Sequence, residues 1–251
     1  MPASRPATIL HTSDCHLEYV DDGLHQRAFA AMIDLSIELD VDLVLIAGDM
    51  FDHSRIREPM LEWTAEQLDR TNRPVVLIVG NHDCLNEYSV HHRFDANARC
   101  QQVHFLADHQ GSTVEVPGTD IVVWGKAMPE HEPKFRPLLG SPARRDTRWH
   151  VVAGHGLVIE SQGDLRRSSP IYPADLDAVD ADYVALGHIH AHGIVRERPL
   201  TVYSGSTANS RKGEPGCVVV DLVPGESPTL RWESLADAAG WVPPAATVSA
   251  G

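Results

Sequence analysis

The most constraining feature of this 251-residue chain is a set of apolar runs, each ending in a short polar motif. The first half contains three such runs, separated by two stretches with the three- and four-residue apolar spacing of amphipathic helices. A β-α-β-α-β order of this kind predicts a parallel sheet with right-handed crossovers. The polar motifs then fall at the carboxyl ends of neighbouring strands, where open α/β sheets bind their ligands.

The hydrophobic pattern predicts elements along most of the chain. In the first half they are strand, helix, strand, helix and strand over residues 8–11, 24–39, 41–47, 57–70 and 74–79. After residue 83 the pattern changes to short strands with Gly and Pro turns, over residues 103–106, 113–116, 121–124, 149–153 and 182–186. Strands at 201–203, 217–222 and 230–233 are expected to complete a second, antiparallel sheet. We predict one α/β domain over residues 1–237 and a loose tail over residues 238–251.

The polar motifs share the carboxylate, amide and imidazole side chains that bind divalent metal ions. They are Asp14-Cys15-His16, Gly48-Asp49-Met50-Phe51-Asp52, Gly80-Asn81-His82-Asp83, Gly154-His155 and Gly187-His188-Ile189-His190. Mixed oxygen and nitrogen ligation suits Mn, Fe or Zn better than an all-oxygen Mg or Ca site. Five such motifs at strand ends therefore predict a two-metal centre on the loops at a sheet edge.

The chemistry of single residues suggests their roles. Asp14 and His16 are two positions apart, so on an extended chain they point to the same side and can meet one ion. The carboxylate of Asp49 has two oxygens and can bridge two ions. Two ions about 3.5–4 Å apart would activate a bridging hydroxide for in-line attack on phosphorus. His82 is then free to protonate the leaving oxygen as a general acid, with Asp52 to orient it.

This motif set resembles the calcineurin-like metallophosphoesterase superfamily, whose pattern is D-x-H, G-D-x-x-D, G-N-H-D/E, G-H and G-H-x-H. The match spans residues 8–222 and is complete at every motif. The stretches HTSDCHL, VDLVLIAGDMFD, PVVLIVGNHD, YVALGHIH and VYSGS resemble the SbcD/Mre11 branch of DNA-repair nucleases. The resemblance implies a four-layer αββα sandwich, with two central mixed sheets flanked by helices.

The resemblance also implies a ligand set and a reaction. One ion would be held by Asp14, His16, Asp49 and His190, and the other by Asp49, Asn81, His155 and His188. His82 would act on the leaving group, with Asp52 behind it. The branch implies two divalent ions, Mn²⁺ above all, and cleavage of DNA phosphodiester bonds. Because the chain ends soon after its last predicted strand, a Rad50-like ATPase partner is not expected.

Three functions stay open at this point. The leading hypothesis is a two-metal phosphodiester hydrolase that cuts DNA as an exonuclease or endonuclease. The net charge of −14 disfavours non-specific attraction to nucleic acid, and it favours the alternative of a small-molecule phosphodiesterase or phosphatase, for example on cyclic nucleotides. A third hypothesis is a metal- or DNA-binding module without turnover. Metal identity, cleavage polarity and oligomeric state are not determined by these patterns.

Contacts to substrate are predicted outside the metal motifs. They are His53, which neighbours Asp52, and a basic cluster that precedes the strand leading to His155 and could follow a phosphate backbone, namely Arg144, Arg145 and Arg148. The other histidines, including His91 and His131, are expected at the surface or in structural roles. No apolar run reaches the roughly 18 residues of a membrane span, and no apolar leader precedes the first motif. A cytoplasmic protein that does not contact a membrane is expected.

Overall fold

Two six-stranded sheets form the centre of the protein in the computed structural model, which describes residues 5–18, 23–159, 169–208 and 214–242. The first sheet contains β1 (Ala7–Thr12), β2 (Leu43–Ala47), β3 (Val75–Ile78), β4 (Val103–Phe105), β13 (Gly216–Leu222) and β14 (Thr229–Ser234), in the order β14-β13-β1-β2-β3-β4. The second contains β5 (Ser112–Glu115), β6 (Ile121–Gly125), β7 (Trp149–His155), β10 (Tyr183–Gly187), β11 (Gly193–Glu197) and β12 (Leu200–Tyr203), in the order β11-β12-β10-β7-β6-β5. Two short strands, β8 (Leu157–Val158) and β9 (Pro170–Ile171), pair separately.

Helices cover the outer faces of the two sheets. They are α1 (Leu24–Glu38), α2 (Glu58–Arg70), α3 (His91–Phe94), α4 (Ala96–Arg99), α5 (Pro173–Ala178) and α6 (Ala236–Ala239). Phe29 of α1 and Met60 of α2 share one buried core with Leu10 of the first sheet. The short helix α5 contributes Leu176 to the smaller core on the outer face of the second sheet.

A third apolar core lies between the sheets and joins them. Ile9 and Leu45 of the first sheet pack there with Val151 and Ala185 of the second. Strand β2 is buried along its whole length, because helices cover one face and the second sheet covers the other. This arrangement explains its continuous apolar run. The predicted fold, two central mixed sheets flanked by helices, is confirmed.

The predicted antiparallel second sheet is wrong in two respects. Strands β13 and β14 join the first sheet, where β13 pairs antiparallel with β1. The four central strands of the second sheet run parallel to one another, and only its edge strands β5 and β11 pair antiparallel. Strands covered on both faces have similar apolar runs in either sheet, so hydrophobicity alone does not specify which neighbour each one pairs with.

The predicted domain boundary at residue 237 falls inside α6. Ala239 of this helix is buried and packs with Ala28 of α1, while residues 243–251 of the predicted tail lie outside the described residues. Within the described ranges, every helix is too short or too polar to cross a membrane.

Candidate active site

The five polar motifs converge at one edge of the sandwich because each follows the carboxyl end of a parallel strand. In the first sheet β1, β2 and β3 run parallel, and in the second β7 and β10 run parallel with Gly187 opposite His155. Backbone hydrogen bonds join the loops, from Asp14 N to Gly48 O and from His16 N to Asp49 O. Side chains from both sheets therefore meet at this edge.

Four candidate ligands lie in the left-handed backbone region, which non-glycine residues seldom adopt. The φ angles are 52° at Asp14, 47° at His16, 52° at Asp49 and 98° at His188. Such conformations cost on the order of 1–3 kcal/mol each and concentrate at functional sites. Each of these four residues lies just after a strand, where the turn of the backbone directs the side chain towards the other candidate ligands.

Glycines allow the two sheets to approach closely here. A Cβ on Gly187 would lie 2.1 Å from the carbonyl oxygen of Ala47 and 2.7 Å from Nδ1 of His155. A Cβ on Gly80 would lie 2.1 Å from Oδ1 of Asp49. The glycine that opens each of these motifs is thus required by contacts across the site.

Replacing Gly187 by Ala should separate the two halves of the site. The added methyl group would collide with backbone, so we expect a loss of about 1–3 kcal/mol in the free energy of unfolding together with weaker metal binding. Urea unfolding and metal titration would measure both effects. Gly193→Ala is the matched control, because a Cβ there meets no atom within 4 Å. Equal behaviour of the two variants would contradict the close approach.

The first group of candidate ligands comes from β1 and β10. Oδ1 of Asp14 lies 3.4 Å from Nε2 of His190 and 3.9 Å from Nε2 of His16. The two imidazole Nε2 atoms are 3.3 Å apart. His16 donates its Nδ1–H to Asp52 over 2.9 Å, so its Nε2 presents a lone pair towards Asp14 and His190. This cluster of one carboxylate and two imidazoles can hold a metal ion.

The second group surrounds Asp49. Oδ2 of Asp49 lies 3.4 Å from Nε2 of His155, and Oδ1 of Asn81 lies 3.1 Å from that same nitrogen and 2.7 Å from Nδ1 of His188. His155 donates its Nδ1–H to the carbonyl oxygen of Ala47 over 2.8 Å, so Nε2 is the ring nitrogen that faces the group. Against the effect of burial, the neighbouring Asp49 carboxylate raises the pKa of His155 to about 9. Burial lowers the pKa of His188 to about 4, so this imidazole is neutral and able to ligate.

Two buried carboxylate oxygens test whether metal ions fit these groups. Oδ2 of Asp14 accepts the backbone N–H of His188 over 3.0 Å, and Oδ1 of Asp49 accepts that of His82 over 2.8 Å. The other oxygen of each carboxylate is buried without a hydrogen-bond partner. Oδ2 of Asp49 also lies 3.9 Å from Nε2 of His16, and hence between the two groups. Buried carboxylate oxygens without a hydrogen-bond partner, each 3.4 Å from an imidazole nitrogen, fit cations at both positions.

His82 lies beside this cluster and is held by Asp52. Nδ1 of His82 is 2.8 Å from the carbonyl oxygen of Asp52 and 3.2 Å from its Oδ1. The hydrogen bond to the Asp52 carboxylate raises the pKa of His82 to about 9. Hydrogen bonds from His16 and His82 hold the pKa of Asp52 far below its usual range. Asp52 thus contacts both His82 and His16, whereas the sequence analysis assigned it to His82 alone.

Further supporting residues lie next to the motifs. Ser13 Oγ hydrogen-bonds to Oδ2 of Asp14, and Ser206 Oγ donates to its carbonyl oxygen over 2.6 Å. The buried carboxylate of Asp83 accepts N–H groups of Gly80, Met50 and Phe51, and it contacts Nε2 of His91 at 3.1 Å. Asp83 therefore joins two motif loops. In the sequence, Asp83 is the last residue of the Gly80-Asn81-His82-Asp83 motif, whereas His91 lies outside every motif.

The basic cluster predicted for substrate binding is not brought to this edge. Arg148 directly precedes β7 and His155 ends it, which separates them by roughly 20 Å at 3.3 Å per residue. Arg144 pairs with Asp182, and Arg148 with Asp146 and Glu115. Arg145 and Arg148 line a separate cavity of about 330 Å³. Position along the chain placed the cluster near His155, but the length of the strand places it at the opposite end of the sheet.

A cleft of about 460 Å³ does adjoin the cluster. It is lined by both Asn81 and His82 and by the predicted contact His53. His131, predicted to be a surface or structural residue, also lines it, and its ring centroid is 5.7 Å from that of His188. His131 lies outside the five motifs of the sequence. It reaches the cleft through the path of a loop that none of these motifs includes.

The chain belongs to the calcineurin-like phosphoesterase family, whose model matches residues 7–192. The matched range contains all five motifs. The groups of candidate metal ligands described above lie within the part of the chain that this family model matches.

Curated relatives include an uncharacterized metallophosphoesterase, a nuclease subunit and a DNA double-strand break repair protein. The chain is 25% identical to the uncharacterized metallophosphoesterase YhaO of Bacillus subtilis, covering 87% of this chain and 58% of that protein. It is 28% identical to the SbcD component of the nuclease SbcCD of Bacillus subtilis, covering 90% and 68%. It is 36% identical to the DNA double-strand break repair protein Mre11 of Methanosarcina acetivorans, covering 84% and 35%. The chain therefore spans between about a third and two thirds of these relatives.

Solved structures share the fold at low identity. TT1561 of Thermus thermophilus matches with a TM-score of 0.59 at 10% identity, covering 91% of this chain and 99% of that one. The purple acid phosphatase PPD1 of yellow lupin matches with a TM-score of 0.57 at 11% identity, covering 94% and 52%. An archaeal phosphodiesterase matches with a TM-score of 0.52 at 16% identity, covering 91% and 99%. At these identities the likeness extends to the fold alone.

Proposed function

We propose that the protein is a two-metal phosphodiester hydrolase that acts on nucleic acid, with His82 as the general acid. The observation that carries this proposal is the pair of unpaired buried oxygens, on Asp14 and Asp49, facing histidine nitrogens beside His82. Asp14, His16, Asp49 and His190 would hold one ion, and Asp49, Asn81, His155 and His188 the other. The O and N donor set suits Mn²⁺, with Fe or Zn as alternatives.

The ions would supply positive charge for the phosphoryl oxygens and lower the pKa of a water molecule. The side chains of this chain do the rest. The hydrogen bond to Asp52 raises the pKa of His82 to about 9, which favours the protonated form that a general acid needs. The Nδ1–H of His82 is directed to Asp52, so Nε2 is the atom that faces substrate. From there it can donate a proton to the leaving oxygen as the ester bond breaks.

Nucleic acid as the substrate is supported by the relatives whose names refer to DNA repair or to a nuclease, Mre11 and the SbcD component of SbcCD. A specific observation favours a second candidate, a small phosphodiester. Among the described residues that line the cleft there is no Lys or Arg, whereas binding along a polynucleotide depends on such cations. The predicted arginine cluster lies at the far end of β7 and is paired with carboxylates.

A metal-supplemented substrate panel tests the proposal. With Mn²⁺ we expect hydrolysis of bis(p-nitrophenyl) phosphate and of DNA, both stopped by a chelator and restored by adding metal back. RNA, cyclic nucleotides and phosphomonoesters complete the panel. Hydrolysis of small diesters with every DNA substrate left intact would replace nucleic acid by the small-diester candidate. Metal binding without turnover of any ester would refute the enzymatic proposal.

A further inference from the structure

The cleft beside His82 is also lined by groups that the hydrolytic chemistry does not use. They are Asn86 and Tyr88 of one loop and Glu130 and His131 of another. Tyr88 is 72% exposed, which is a large fraction for an aromatic side chain. An unoccupied aromatic face thus borders the space next to the general acid.

Asn86 joins these two loops by hydrogen bonds. Its Nδ2 donates to Oε1 of Glu130 over 3.2 Å, and its Oδ1 accepts the backbone N–H of Tyr88 over 2.9 Å. Its carbonyl oxygen accepts from the backbone of Ser89 and from Nε2 of His92. A backbone bond from Leu85 N to Met128 O joins the same two loops nearby. These hydrogen bonds fix Tyr88 and Glu130 relative to each other. Oε2 of Glu130 can then accept a hydrogen bond from a ligand.

The charge at this end of the cleft selects against further phosphate groups. Glu130 is a carboxylate at the cleft wall, and the described lining residues offer it no Lys or Arg. A phosphate placed beside it would meet a like charge without a neutralising partner. Hydroxyl and amine groups, in contrast, can donate to Oε2 of Glu130, and an aromatic ring can stack on Tyr88.

We propose that this part of the cleft binds the leaving group, and that the leaving group is a nucleoside that carries no further phosphate. This inference rests on the proposed function. In the reaction the P–O bond to that nucleoside breaks, water supplies the hydroxyl group to phosphorus, and His82 gives a proton to the departing oxygen. The products are one nucleoside and one phosphomonoester. Both a free dinucleotide and the end of a nucleic-acid strand contain such a leaving group.

The first test uses dithymidine monophosphate and its two singly phosphorylated forms, one with an added 5′ phosphate and one with an added 3′ phosphate. Only the form with its extra phosphate on the leaving nucleoside should be slow, with kcat/KM roughly tenfold lower. Glu130→Gln should remove this difference by raising the rate on the slow form. Glu132→Gln makes the same charge change outside the cleft lining and should not. Equal rates on all three wild-type substrates, or a Glu130→Gln variant that keeps the difference, would overturn the proposal.

The second test concerns Tyr88. Tyr88→Ala should lower kcat/KM for dithymidine monophosphate about tenfold through KM, whereas Tyr88→Phe should retain it, because a stacking face is what binds the base. Dimethyl phosphate, which contains no nucleoside to leave, should be hydrolysed equally by all three proteins. A uniform loss on both substrates would mean that Tyr88 only supports the fold, and would contradict a base-binding role.

A third arm separates the two sources of the nucleoside. Removal of single nucleosides from strand ends identifies nucleic-acid ends, and cleavage of the dinucleotide alone identifies free dinucleotides; either result supports the inference. Cleavage at internal positions of a strand overturns it, since every internal leaving group carries another phosphate. Hydrolysis of bis(p-nitrophenyl) phosphate reports on the proposed function separately, and its absence would remove the basis of both.

Discussion

Replacing Asp49 by Asn should abolish metal-dependent hydrolysis while the fold persists. Its Oδ2 lies between the two ligand groups, so loss of its charge weakens binding at both positions. We expect a fall in kcat of about 10³-fold or more, because metal ions supply several kcal/mol of transition-state stabilisation. An Asn at this position can still accept the backbone N–H of His82 through Oδ1. Metal stoichiometry after dialysis and hydrolysis of bis(p-nitrophenyl) phosphate would measure the two effects.

Thermal unfolding gives an independent measure of the same residue. Without metal, the Asp49→Asn variant should be at least as stable as the natural protein, because it removes the charge of a buried carboxylate oxygen that has no hydrogen-bond partner. Added Mn²⁺ should raise the melting temperature of the natural protein, since it binds only the folded state, and should leave that of the variant unchanged. Asp237→Asn, at an exposed position of α6, is the matched control. A metal-free variant that unfolds far more easily would contradict this account of Asp49.

The sequence could predict which polar side chains meet at one edge of the sandwich, because each of them lies at the end of a strand. Each motif directly follows a parallel strand, and parallel strands in one sheet deliver their carboxyl ends to one edge. Asp14 and Asp49 could therefore be placed together without knowing any contact between the two sheets. Packing of one sheet on the other, through glycines such as Gly187, then brings His155 and His188 to the same point.

Residues without such an anchor could not be predicted in the same way. His131 lies on a loop, and only the path of that loop brings it to the cleft. The arginines at 144–148 are near His155 in sequence, but an extended strand carries its two ends far apart. Strand β13 joins the first sheet by pairing antiparallel with β1, and the apolar pattern of β13 does not indicate which strand it pairs with.

Replacing His82 by Ala should slow hydrolysis in proportion to how strongly the leaving group needs a proton. On a dinucleotide, whose leaving group is a basic alkoxide, we expect kcat to fall by roughly 10²–10⁴-fold, the usual contribution of a positioned acid. On bis(p-nitrophenyl) phosphate the fall should be small, because the nitrophenolate departs without protonation. Steady-state rates on the two substrates under the same metal load would give the ratio.

Metal binding should survive the His82→Ala change, which separates loss of the acid from loss of the ions. The bond to Asp49 is made by the backbone N–H of residue 82 and not by its imidazole, so the ligand group around Asp49 keeps its geometry. His109→Ala, a histidine whose Nδ1 contacts the carbonyl oxygen of Ala127 away from the cluster, should leave both rates unchanged. Equal losses on the two substrates would show that His82 acts on the ions or on substrate binding and not on the leaving oxygen. A loss confined to the dinucleotide would support a role as proton donor, in line with the Nδ1 contacts that position the His82 ring against Asp52.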